Sequence, residues 1–183
     1  MVRKVLTALA LASAFPLAAG AQDFAEFSTR GHPGSYGMVL RVSHPQAWKK
    51  VAPDDPLALA ELRGPHGPLT GILQIARGRR RSDMESLCTP ERARTMLQNT
   101  SGDEADARVT DVLARKHEGR PAFDLRYERN QAPDFLLVRS VIVCLKDTRV
   151  VVSCGAMGAT KAAVSEIEAV CSRVLESLAI SED

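Results

Sequence analysis

The sequence predicts an α+β fold, an antiparallel β-sheet of about six to seven strands flanked by two main helices. Three observations predict it. Short runs rich in Val, Ile and Leu follow one another across brief turns, so neighbouring strands should pair antiparallel. Two segments repeat apolar residues every three or four positions, the helical period. The last two strands are apolar on both faces (Val141, Ile142, Val143 and Leu145, then Val150, Val151 and Val152), so each side of the sheet needs a cover.

The chain opens with the pattern of an export signal. Arg3 and Lys4 precede an apolar run from Val5 to Ala18, and Ala19-Gly20-Ala21 has the small residues of a cleavage site. The run is shorter than the roughly 20 residues a membrane helix needs, and no later segment approaches that length. Cleavage after Ala21 removes two of the 24 basic residues and none of the 22 acidic ones, leaving no formal net charge. An electrostatic case for nucleic acid or a membrane surface then disappears. The expected organisation is a cleaved signal peptide at 1–21, an irregular lead-in at 22–37 with Gly31, Pro33, Gly34 and Gly37, and one domain at 38–183. The alanine-rich leader has a bacterial style, so the periplasm is the expected destination. In a bacterial chain the sequon Asn99-Thr100-Ser101 carries no weight.

A first strand is expected at Met38–Ser43, stopped by His44-Pro45, since proline cannot donate to a ladder. "PLALAELRG" and "LTGILQIARG" are the next two, joined as a hairpin by the turn cluster "GPHGP". Thr89 is a good N-cap, Pro90 suits the first helical position and Glu91 favours the positive helix end. Ala93, Met96 and Leu97 give that helix an inward face, and "NTSGDEADA" ends it. Two strands follow around His117-Glu118-Gly119-Arg120, then two more around Asp147-Thr148. "GAMGAT" reads as a link. Thr160 caps a long last helix whose Val164, Ile167, Cys171, Val174 and Leu178 face the core.

Four cysteines, Cys88, Cys144, Cys154 and Cys171, lie in the exported part, and an even count in an oxidising space favours two disulfides. If Asp147-Thr148 is a two-residue turn, Cys144 opposes Val151 and Cys154 opposes Val141. The two sulfurs then point to opposite sides of the sheet, whereas a disulfide needs Cβ atoms about 4 Å apart. Each strand cysteine is therefore expected to bond one associated with a helix, Cys88 or Cys171. A longer loop or a bulge would shift the parity and permit Cys144–Cys154 with Cys88–Cys171, so both connectivities stay open.

Catalytic patterns are scarce: there is no Gly-x-Ser-x-Gly, no His-Glu-x-x-His and no phosphate-cradling glycine loop. His32, His44, His66 and His117 lie in Pro/Gly-rich turns and read as solvated. A metal site from the first three matches no defensible ligand spacing, and no cofactor is expected. Oxidation of the cysteines would remove any thiolate nucleophile. The densest charge feature is "RGRRRSDMES". Arg77, Arg79, Arg80 and Arg81 form a candidate site for an anion or an acidic partner. The competing reading is a solvated loop neutralised by Asp83, Glu85 and the segment Asp103-Glu104-Asp106. Trp48, the one tryptophan, is a candidate partner anchor or a core-edge residue.

The order of elements and three phrases resemble a known family. "YGMVLRVSHPQAWKKV" resembles the opening of PsbP-like domains, "EGRPAFDLRY" their central hairpin, and "VLESLAIS" the end of their final helix. The likeness covers about residues 36–181. It implies an α/β/α sandwich on an antiparallel sheet, in a group whose members mostly bind other proteins, and it carries no catalytic motif onto this chain. The function expected is that of an exported, non-enzymatic binding protein with a protein partner, as an immunity or inhibitor protein or an envelope accessory factor. A small-ligand or lipid carrier using a cavity between sheet and helix is the alternative.

Overall fold

The computed structural model describes residues 23–84, 88–100, 107–131 and 134–182. The leader and its cleavage site, Glu85, the acidic segment 103–106 and part of the sequon lie outside them. Ten strands and three helices follow in the order β1 (Phe24–Ser28), β2 (Met38–Pro45), β3 (Lys49–Val51), β4 (Ala58–His66), β5 (Leu69–Arg77), α1 (Pro90–Thr100), β6 (Ala107–His117), β7 (Arg120–Gln131), β8 (Asp134–Cys144), β9 (Arg149–Gly158), α2 (Lys161–Ser165), α3 (Glu168–Glu176) and β10 (Ala179–Glu182).

Seven strands form one antiparallel sheet in the order β3-β4-β5-β9-β8-β7-β6, and β1-β2-β10 form a second, smaller one. Consecutive strands pair because their turns are short. Glu118 and Gly119, both at positive φ (49° and 78°), close the β6–β7 hairpin in two residues. The large sheet is the middle layer. Its inner face carries Leu73, Ile75, Val141, Val152 and Cys154, all at 0 % exposure, beneath α2, α3 and the small sheet. Its outer face packs Phe123, Leu125, Ile142 and Cys144 against Ala93 of α1. The unbroken apolar runs of β8 and β9 thus have cover on both sides, as their composition requires.

Several elements differ from the sequence expectation. The lead-in contains β1, which pairs with β2 from Phe24↔Pro45 to Ser28↔Arg41. Its apolar Phe24 and Phe27 are three apart and do not alternate, so it gives no strand signal. Strands β3 and β10 are equally silent because three and four residues are too few to show a period. The expected link "GAMGAT" is strand as far as Gly158. Gly155 is needed there because a Cβ would overlap the Leu137 carbonyl of β8. The expected long last helix is broken after Ser165, yet Val164, Ile167, Cys171 and Val174 are all at 0 % exposure, so the inward face survives the break. Both expected caps are present: Arg92 N–H donates to Thr89 Oγ1 (3.3 Å) and Ala163 N–H to Thr160 Oγ1 (3.2 Å).

The disulfides join Cys88 to Cys144 and Cys154 to Cys171. The β8–β9 turn is longer than the two residues expected: Cys144 pairs with Arg149 and Cys154 with Arg139. The register therefore slips by two relative to the expectation. A slip of two preserves parity, so Cys144 and Cys154 still point to opposite faces.

Candidate functional site

Trp48 lies in the core. It is 1 % exposed and lies over the β4–β5 hairpin, where its Nε1–H donates to the Pro65 carbonyl (3.3 Å). Gly64 and Gly71 are cross-strand partners there, and a Cβ on either would overlap the tryptophan. The slot exists because both positions are glycine, and filling it buries the indole in the inner core.

The arginine run divides by local geometry. Arg81 forms two hydrogen bonds with Asp83 at 2.9 Å, which hold the Asp83 carboxyl below the usual carboxylate range. Arg80 pairs with Asp147 in the β8–β9 turn at 3.1 Å. Arg79 is exposed. Arg77, the last residue of β5, points back into the protein. It is 7 % exposed and donates to the Gly34 carbonyl (3.3 Å), with no carboxylate at ion-pair distance among the described residues. Burial, with Arg80 beside it, pushes the Arg77 pKa down. The neutralising loop expected from the sequence is thus correct for Asp83, while Asp147 is a partner that sequence proximity could not reveal.

The feature that sequence reasoning missed is Tyr36. Its ring lies 4.3 Å from the Arg77 guanidinium and 5.4 Å from that of Arg80, yet the residue is 66 % exposed. It sits in the left-handed region at φ 51°, which costs a non-glycine residue about 1–3 kcal/mol. The loop that holds it is tied at each step. His32 Nδ1 accepts from Gly34 N–H (3.1 Å), Ser35 Oγ donates to the His32 carbonyl (2.7 Å), and Leu40 N–H donates to Thr29 Oγ1 (2.9 Å). The one signal in the sequence was a tyrosine among loop glycines, Gly34 and Gly37.

Tyr36, Arg77 and Arg80 form a wall shared by two clefts. The larger, about 900 Å³, opens at one end of the large sheet, between β10 and the β6–β7 and β8–β9 turns. Among the described residues four cationic side chains, Arg77, Arg80, Arg120 and Lys146, line it with two acidic ones, Asp147 and Glu182. The smaller, about 400 Å³, contains Arg79 and, among the described residues, no acidic side chain. Thr148 Oγ1 donates to the Gly78 carbonyl (2.8 Å), and Gly78 N–H to the Arg149 carbonyl (2.9 Å), so the β8–β9 turn is held to the arginine segment. Cys88 and Cys144 close the floor of the larger cleft.

The histidines do not gather, and they are not uniformly solvated as expected. His32 is a turn cap. His44 lies within β2 at 7 % exposure with Nδ1 2.8 Å from the Pro45 carbonyl. His117 is partly buried at the end of β6, and burial pushes its pKa below the ordinary imidazole value against the opposing pull of Glu118. No group of three or more His, Cys, Asp and Glu able to hold a metal occurs among the described residues. All four cysteines are bridged, so no thiolate is available as a nucleophile.

With this geometry the architecture is that of the PsbP-like α/β/α sandwich. The solution structure of cyanobacterial PsbP (CyanoP) from Synechocystis sp. PCC 6803 matches with a TM-score of 0.64 over 90 % of this chain and 96 % of that one, at 12 % identity. The Ran-binding protein Mog1p of Saccharomyces cerevisiae matches with a TM-score of 0.53 over 87 % of this chain and 96 % of its own, at 11 % identity. LpqN of Mycobacterium tuberculosis, described as involved in cell envelope biogenesis, has a TM-score of 0.49 at 16 % identity, covering 86 % of this chain and 91 % of that one. At such identities the likeness is one of fold. No family model matches the sequence, and no curated protein matches it. Two disulfides fit an oxidising, extracytoplasmic setting. No helix among the described residues is long and apolar enough to cross a membrane.

Proposed function

We propose that this is an exported, non-enzymatic binding protein of the bacterial envelope, acting on a protein partner as an inhibitor, an immunity protein or an envelope accessory factor. The observation that carries the reading is Tyr36, a rigidly held, exposed aromatic stacked on two arginines. Tyrosine and arginine are the residue types that dominate binding energy at protein interfaces. Tyr36 is kept at positive φ with its ring largely in solvent apart from the two arginines, and strain of this kind collects at functional positions. The leader supports export to the periplasm. The carrier alternative has less support, because Leu73, Ile75, Ile167 and Val174 fill the space between the large sheet and its helices at 0 % exposure.

Affinity capture from a periplasmic extract, with wild type and Tyr36→Ala run in parallel, tests the reading. The expected result is one stoichiometric protein retained by wild type. A wild-type sample that retains no protein, with the bait folded and both disulfides intact, overturns it.

A further inference from the structure

The geometry points to an acidic, extended segment of the partner as the occupant of the larger cleft, bound as a fourth strand on the free edge of β10; this rests on the protein-binding reading above. Three independent features meet at this site.

The first is an edge. In the small sheet β10 has β2 on one side and no strand on the other among the described residues, and Ile180, Ser181 and Glu182 form one wall of the cleft. A strand edge presents unpaired N–H and C=O groups, which an extended peptide satisfies by pairing. The opposite wall is built from the β6–β7 and β8–β9 turns.

The second is charge. Among the described residues four cations line the cleft; Arg80 is paired with Asp147 and Arg120 with Glu118, while Arg77 and Lys146 have no carboxylate at ion-pair distance. Arg77 is the strongest case, being more than nine-tenths buried with only a carbonyl as its hydrogen-bond acceptor. A guanidinium withdrawn from water is stabilised by a carboxylate, which it can bind through two parallel hydrogen bonds. Arg79 and Arg80 continue the positive potential over the Tyr36 ridge into the smaller cleft.

The third is the aromatic ridge. Side chains two positions apart in an extended peptide lie on one side, so an acidic residue facing the arginines has a neighbour two positions away directed at the same wall. Tyr36 supplies an apolar surface beside the cations for that neighbour. The occupant is therefore a segment with acidic and apolar residues two positions apart. A free inorganic anion would use the arginines alone, without β10 or Tyr36.

Panning a random-peptide display library on the chain with both disulfides intact tests this. The expected pool is enriched in peptides with Asp or Glu two positions from an apolar residue. The selected peptides should protect from hydrogen exchange the backbone amides of Ile180 and Glu182, which point away from β2. Tyr36→Ala and Arg79→Glu, both at exposed positions, should each weaken binding about tenfold or more, and added salt should weaken it further. A pool without acidic bias overturns the proposal, as do selected peptides that bind Tyr36→Ala as tightly as wild type. Full displacement by millimolar inorganic phosphate, with no protection in β10, would show a simple anion site and would also overturn it. If the captured partner binds Tyr36→Ala unchanged, this site falls while the protein-binding reading stands.

Discussion

The inner and outer faces of the large sheet are each closed by helix and disulfide, but they are closed differently. On the inner face Cys154 and Cys171 are both at 0 % exposure, 17 residues apart in sequence, inside a core that two helices and a second sheet already fill. On the outer face Cys88 and Cys144 are 56 residues apart, and Cys88 is only partly buried at the floor of the cleft. Chain entropy alone assigns about 3 kcal/mol to the inner bridge and about 4 kcal/mol to the outer one. Burial predicts the opposite order for resistance to reductant. The comparison teaches that a bridge inside a packed core reinforces contacts that exist without it, whereas the outer bridge anchors the segment that carries the arginines.

The largest expected effect tests the inner face. Trp48→Ala empties the slot over Gly64 and Gly71 and should lower the unfolding free energy by about 3–5 kcal/mol, read by urea denaturation. A loss below about 1 kcal/mol would mean that this face is not a single packed core. Next, Cys88→Ala with Cys144→Ala should cost about 4 kcal/mol while the inner bridge stays oxidised. The same asymmetry should appear in reduction. Under native conditions dithiothreitol should open Cys88–Cys144 first, giving a two-thiol species detectable by alkylation and mass spectrometry. Loss of both bridges in one step would erase the distinction between the faces.

A smaller effect is expected from His117. By its place in β6 it shares the inner face with Arg115, whose strand partner is the core residue Ala122. Its folded pKa lies below the unfolded value, so the unfolded chain takes up the proton first as pH falls. The stability it contributes is complete above the unfolded pKa and is lost as pH drops through the folded one. His117→Asn should flatten the decline in stability just below neutral pH, followed by thermal melts across that range. The smallest expected effect is that of Tyr36→Gly. Relief of the positive φ offsets loss of the arginine contact, so stability should change by about 1 kcal/mol or less while partner capture is lost.

The parts of the fold legible in the sequence were those with a period long enough to read. The double-sided apolar runs of β8 and β9, the face from Val164 to Leu178 and the caps at Thr89 and Thr160 all follow from local chemistry. The separation of Cys144 from Cys154 was readable even with the turn length wrong, because faces depend on parity and not on register. Strands β1, β3 and β10 were not readable, since they are held by pairing to β2 and β4 and not by their own pattern. The site was half legible. The arginine run was visible as charge, but its division into a buried Arg77, a paired Arg80 and an outward Arg79 depends on Asp147 and Gly34, distant in sequence. The core-edge reading of Trp48 was open in the sequence, but composition cannot show that two glycines on another hairpin leave room for its indole.

The small sheet also fixes where the chain can be handled. Strand β1 begins beside Pro45, and β10 ends beside Met38, so residues 24 and 182 lie at opposite ends of β2. That separation is about 20 Å at the usual rise of a strand. A tag or surface linkage placed ahead of Phe24 leaves from the end remote from the cleft, whereas one appended after Glu182 starts on the cleft's own wall. Immobilising the protein beside Glu182 would obstruct the opening that a binding assay needs to keep clear.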